Sequence, residues 1–164
     1  MKSIYKTFLS LASIAAITAG CAQAGEPTTL SDSDQKGVPA GWVTDYDAAL
    51  KQAKAEGKDV MIDFTGSDWC GWCIKLHDEI LDKEAFKEYA KENLVLVYLD
   101  YPRGKPQTEA LKEQNEKLSE KYGIRGFPTL VILNSDGKKI GQMGYQKGGP
   151  KPFVEALEKV TKKS

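Results

Sequence analysis

Cysteine, histidine and net charge are all scarce in this chain. Its 164 residues include three cysteines and one histidine, and 23 Lys and Arg balance 23 Asp and Glu. Three cysteines are too few for a disulfide scaffold, so a hydrophobic core has to hold the fold. A chain without a basic surplus lacks the electrostatic footprint of nucleic-acid binding, which draws on counterion release. Gly 15 and Pro 7 are too few for a collagenous or low-complexity chain. What is left, 41% hydrophobic and 28% charged residues, is an ordinary globular mixture of one-domain length.

No long hydrophobic run is present either. The apolar stretch Phe8 to Ala19, about a dozen residues, falls short of the roughly 20 that span a membrane. Preceded by Lys2 and Lys6 with no acid, it suits the core of a signal peptide. Two cleavage readings stay open. Ala22-Gln23-Ala24 before Gly25 is an A-x-A site that yields a soluble exported protein, with residues 1–24 as the signal peptide. Ala19-Gly20-Cys21 instead resembles the end of a bacterial lipobox, with Cys21 lipidated and anchored to a membrane. Either way the location is periplasmic or otherwise exported, and Cys70 and Cys73 are the thiols that remain. Loss of residues 1–24 removes two lysines and no acid, which leaves a formal charge of −2.

Residues 25–41 lack aromatics and apolar periodicity and read as a flexible tether. The folded domain is expected over 42–164. Tyr46, Ala49, Leu50 and Ala53 share one face of a helix over 45–56, which Gly57 stops. Residues 59–64 read as a short, mostly apolar strand, and the run LVLVYL at 94–99, apolar on both faces, as a central strand. Helices are expected from Cys70 to about Ile80, over 82–93 and over 108–122. Strands at 129–133 and 138–142 flank the turn Asn134-Ser135-Asp136-Gly137, and Pro150 opens a last helix. Parallel strands with crossover helices, then an antiparallel hairpin, make a mixed-sheet α/β sandwich.

The chemistry concentrates at Trp69-Cys70-Gly71-Trp72-Cys73. A C-x-x-C pair that follows a strand and opens a helix puts its first sulfur beside unsatisfied backbone N–H groups, which favour thiolate. Cys70 is therefore the exposed nucleophile, and Cys73, nearly one turn on, the resolving thiol. Competing uses of the pair are weak. A structural zinc site takes four ligands, and there is no second cysteine pair and only His77. A c-type haem site needs His directly after the second Cys, where Ile74 stands.

Asp63-Phe64 at a strand end, the Trp-Cys-Gly-Trp-Cys centre, and Ile124-Arg125-Gly126-Phe127-Pro128-Thr129 together resemble the thioredoxin superfamily, over roughly residues 42–161. The centre is similar to that of exported bacterial thioredoxin-like proteins. The resemblance implies a three-layer sandwich, a mixed central sheet flanked by helices. It also implies that Pro128 is a cis-proline facing the dithiol, with the Phe127 backbone presented to an extended substrate. Asp63 becomes the buried carboxylate that takes the Cys73 proton, against the alternative of a strand-end cap. The family's lysine facing that acid has no match, because residues 94–99 hold no Lys. Trp69 shields the dithiol and offers substrate an apolar contact, or simply packs in the core. Gly71 and Trp72, between the cysteines, tune the couple.

The function expected is an exported, monomeric protein-disulfide oxidoreductase of reductase or isomerase type. It uses no dissociable cofactor and no metal. Its partners would be disulfide-containing exported proteins and an upstream dithiol electron donor. A membrane enters only through Cys21. The alternative is a metal-handling or redox-sensing protein using Cys70, Cys73 and His77; otherwise His77 is a partly exposed helix residue.

Overall fold

The computed structural model describes residues 32–162; the signal-peptide reading, Cys21 and the start of the tether lie outside them. Alternation along the strands builds the molecule. In β2 (Asp59–Thr65), Val60, Ile62 and Phe64 face one side of the sheet, while Met61, Asp63 and Thr65 take the other. β3 (Leu94–Asp100) repeats the pattern, with Val95, Val97 and Leu99 opposite Leu96 and Tyr98. Both strands are buried nearly throughout, as a strand covered on two faces must be.

Five strands lie in the order β1-β3-β2-β4-β5. β1 (Trp42–Val43) and β2 run parallel to β3, while β4 (Thr129–Leu133) is antiparallel to β2 and to β5 (Lys139–Met143). β1 was not legible in the sequence, since two residues carry no alternation. On one face pack α1 (Tyr46–Glu56) and α4 (Glu109–Tyr122), through Tyr46, Ala49, Ala53 and Leu118. The other face takes α2 (Gly71–Leu76), the turn after it, α3 (Glu84–Asn93) and α5 (Pro150–Thr161), through Leu76, Ile80, Phe86 and Phe153. This is the expected three-layer sandwich with a mixed sheet.

Local chemistry sets the ends of these elements. Asp45 caps α1 by accepting the Ala48 amide at 2.8 Å, a contact worth about 1 kcal/mol. Gly57 closes the helix in the left-handed region, at φ 67°. In the β4–β5 turn, Asn134 Oδ1 accepts the amides of Asp136 and Lys138.

Residues 32–41 differ from the free tether expected there. Asp32–Gln35 form a 3-10 turn, and buried Asp34 accepts from Thr108 Oγ1 at 2.6 Å. Gln35 Nε2 donates to Thr44 Oγ1 at 3.0 Å, and Val38 packs on the core. Polar composition concealed this docking, because side-chain hydrogen bonds rather than apolar burial hold most of it.

Candidate active site

The strand β2, the loop after it and the start of α2 bring the site together. Gly66 O accepts the Cys70 amide at 2.9 Å, and Cys70 then serves as N-cap of α2, its Sγ accepting the Cys73 amide at 3.2 Å. Cys70 and Cys73 are joined as a disulfide, with Cα atoms 5.2 Å apart. The expected exposed nucleophile is more covered than foreseen. Cys70 keeps 7% of its surface, because capping the helix turns its sulfur inward, yet Cys73 keeps only 1%. Of the two residues, Cys70 is the less buried.

Below the dithiol helix the sequence hid a pairing. The helix does not continue regularly to Ile80: His77–Leu81 form a π turn, marked by the Asp82 amide donating to His77 O at 2.9 Å. Such turns recur at functional sites because the extra residue redirects a side chain. The turn begins at His77, whose Nε2 lies 2.8 Å from Asp63 Oδ2. Asp63 is 0% exposed, and its other oxygen, Oδ1, has no hydrogen-bond partner. Thr65 Oγ1, two residues on along the same face, is likewise buried and unpartnered. An unsatisfied buried oxygen is costly in a structural role and apt for a proton acceptor.

Electrostatics follow from this burial. Loss of water holds the Asp63 carboxyl above the usual range, and the nearby Asp100 charge adds to that, against the pull of His77. Burial acts to lower the His77 pKa, but the Asp63 hydrogen bond and charge, with Asp82 and Asp78, outweigh it and leave the imidazole above its ordinary value. Tyr98, edge-on to His77 at 5.7 Å between centroids, has its hydroxyl pushed up by burial and by the charges of Asp100 and Asp63. His77 is thus no loosely exposed helix residue. Its Nε2 is directed at Asp63, away from any shared role with the cysteines at that nitrogen. Among the described residues no group of three or more His, Cys, Asp or Glu is arranged to hold a metal.

The other expected residues are each held by specific contacts. The Phe127–Pro128 bond is cis, and both residues are half-buried. Trp69 is pinned rather than free: its Nε1 donates to Tyr101 O at 2.7 Å, Phe127 meets its ring edge-on at 5.8 Å, and the Arg103 guanidinium covers it at 4.0 Å. Asp68 holds the Arg103 loop by accepting the amides of Arg103 and Gly104. Gly71 is exposed, and Trp72, 56% exposed, leans on Tyr145 at 5.3 Å. Lys75 Nζ sits 5.4 Å from the Trp72 ring and 5.5 Å from that of Tyr145. Sequence reasoning missed Tyr145 and Lys75 as parts of this rim; only the three-residue spacing of Trp72 and Lys75 hinted at one helix face.

Residues 46–161 match a family of thioredoxin-like domains. The chain belongs to that family. Disulfide bond reductase DsbH of Chlamydia pneumoniae is 38% identical over 117 residues, which cover 71% of this chain and 70% of that protein. A solved structure of a DsbH oxidoreductase superposes with a TM-score of 0.69 at 33% identity, covering 85% of this chain and 95% of the other. Thioredoxin-related protein DsbJ of the same organism is 31% identical over 103 residues, 63% of this chain, but the match spans only 30% of its length. Membership of the thioredoxin-like family agrees with the three layers and with the cysteine pair on α2.

Proposed function

We propose that this chain is an exported protein-disulfide oxidoreductase that reduces or isomerises cystines in other exported proteins. The carrying observation is the Cys70–Cys73 pair at the start of α2, with Cys70 the less buried of the two residues. The relative named a disulfide bond reductase favours reduction as the net direction. The charge order of Lys2, Lys6 and Phe8 to Ala19 supports export, with residues 1–24 removed or Cys21 lipidated.

The exchange is balanced as follows. In the reduced protein the Cys70 thiolate attacks one sulfur of a substrate cystine; a Cys70–substrate bond forms, and the other substrate sulfur leaves with the bonding pair and takes a proton. Cys73 gives its proton to Asp63 and attacks the Cys70 sulfur, closing the Cys70–Cys73 bond and releasing the second substrate thiolate, which is protonated in turn. Two electrons have passed to the substrate. A dithiol donor returns them by the reverse exchange. Trp72, Tyr145 and the Phe127–Pro128 edge form the surface on which an apolar substrate segment would rest.

The test is reduction of a disulfide-bonded protein by the enzyme in the presence of a dithiol donor. Cys70→Ser is expected to abolish turnover, and Cys73→Ser to stall as a mixed disulfide on Cys70. Full turnover by Cys70→Ser would overturn the reading.

A further inference from the structure

A carboxyl group sealed from water exchanges protons with solvent only through a neighbour that reaches it. Asp63 is in this position. Among the described residues its sole hydrogen-bonded side-chain neighbour is His77, at Oδ2, while Oδ1 meets none. The imidazole stands at the boundary of the core. Its side chain is 12% exposed, and its other nitrogen, Nδ1, lies 3.9 Å from Oδ1 of Asp82, itself 46% exposed. Trp42 at 5.8 Å and Tyr98 at 5.7 Å hold the ring between them. The π turn places both ends of this route, since it carries His77 and is closed by Asp82.

We propose that His77 is the proton relay of the dithiol centre, passing the proton exchanged between Cys73 and Asp63 to solvent past Asp82. It is a positioning residue that acts through Asp63. The proposal rests on the reading of Asp63 as the acid that serves Cys73, and adds how that acid is reset. An imidazole suits the task because it binds a proton at one nitrogen and releases one from the other.

The protons balance over a cycle. The 2.8 Å contact holds one proton between Nε2 and Oδ2; with Nδ1 also protonated, the pair is carboxylate and imidazolium. When Cys73 becomes a thiolate, its proton passes to Asp63, and the imidazolium releases the Nδ1 proton towards Asp82 and water. One proton enters the pair and one leaves. When a dithiol donor reduces the disulfide, Asp63 returns a proton to Cys73 and Nδ1 recovers one from water. The groups facing the imidazole are Asp63 of β2, Tyr98 of β3, and Asp78 and Asp82 of its own turn, with Asp100 of β3 acting on Asp63. The carboxylates among them favour the imidazolium, which the relay needs at neutral pH.

The test follows release of a chromophoric aryl thiol from a mixed disulfide on Cys70, over about pH 5.5 to 9, in a single turnover. His77→Gln keeps an amide that can meet Asp63. It is expected to slow release about tenfold or more near neutral pH, less than the roughly hundredfold or more of a group that transfers the proton directly, and to flatten the pH profile. Added imidazole should restore part of the rate in His77→Ala. Asp82→Asn, which leaves the buried pair intact, should slow release most at low buffer concentration. Wild-type rates with an unchanged profile in His77→Gln overturn the relay. If Asp63→Asn alone is slow, the relay fails and the buried acid stands. If Asp63→Asn also resolves at the wild-type rate, the acid itself is refuted and the relay with it. Melting curves of each variant separate these outcomes from misfolding.

Discussion

Asp63 and His77 show how two residues acquire properties that neither has in water. Desolvation raises the proton affinity of the buried carboxyl, and the Asp63 hydrogen bond and the carboxylates around His77 raise that of the imidazole. Both shifts have the same sign: the folded protein binds protons more tightly than the unfolded chain in this range. Stability from His77 is therefore full below its ordinary value near 6.5 and is lost as pH rises through the higher folded value. Asp63 acts in the same sense, from its ordinary value of 3.8 upward. The lowered carboxyls, Glu56, Asp68 and Glu113, lose their contributions only in more acid solution. The oxidised protein should thus melt at a lower temperature at pH 8.5 than at pH 6, by a few degrees. In His77→Gln that difference should shrink. A flat or rising melting temperature from pH 6 to 8.5 in the wild type would contradict the sign.

Between residues and fold, the loop from β2 to α2 is the element most sensitive to volume. A Cβ on Gly66 would come within 2.6 Å of the Trp69 ring, closer than side-chain atoms can approach. The ring cannot yield freely, because Tyr101 O, Phe127 and Arg103 hold it. Gly66→Ala is expected to cost about 1–3 kcal/mol and to shift tryptophan fluorescence. An unshifted spectrum with full stability would show that the ring has room. The elements themselves were largely legible in the sequence. A mostly apolar run marked β2, the Asn134–Gly137 turn marked β4 and β5, one shared face marked α1, and Pro150 marked the start of α5. The π turn was not, because residues 70–80 read as a regular helix and the wider hydrogen bonding depends on packing below it. Nor was the role of His77, because its contact with Asp63 joins a helix end to a strand fourteen residues away.

On the scale of the whole molecule, the docked arm is the departure with energetic consequence. Residues 32–41 wall one side of a cavity of about 580 Å3, whose other lining includes Tyr98, Asp100, Gln107 and Leu111. Thr108 both caps α4, through the Leu111 amide, and donates to Asp34. Deleting everything before Trp42 is expected to destabilise the domain by about 1–3 kcal/mol, the scale of losing buried hydrogen bonds. A truncated protein that melts with the full-length chain would make the arm dispensable. By itself the sequence determined the cysteine pair at a helix start, the order of the elements from α1 onward and the two-sided burial of β3. These rest on local spacing and on periodicities that any strand or helix obeys. Only the tertiary structure decided that His77 meets Asp63, fourteen residues away, and that Asp34 meets Thr108, seventy-four away. Such contacts arise where strand faces, turns and loops converge, and no period along the chain records that convergence.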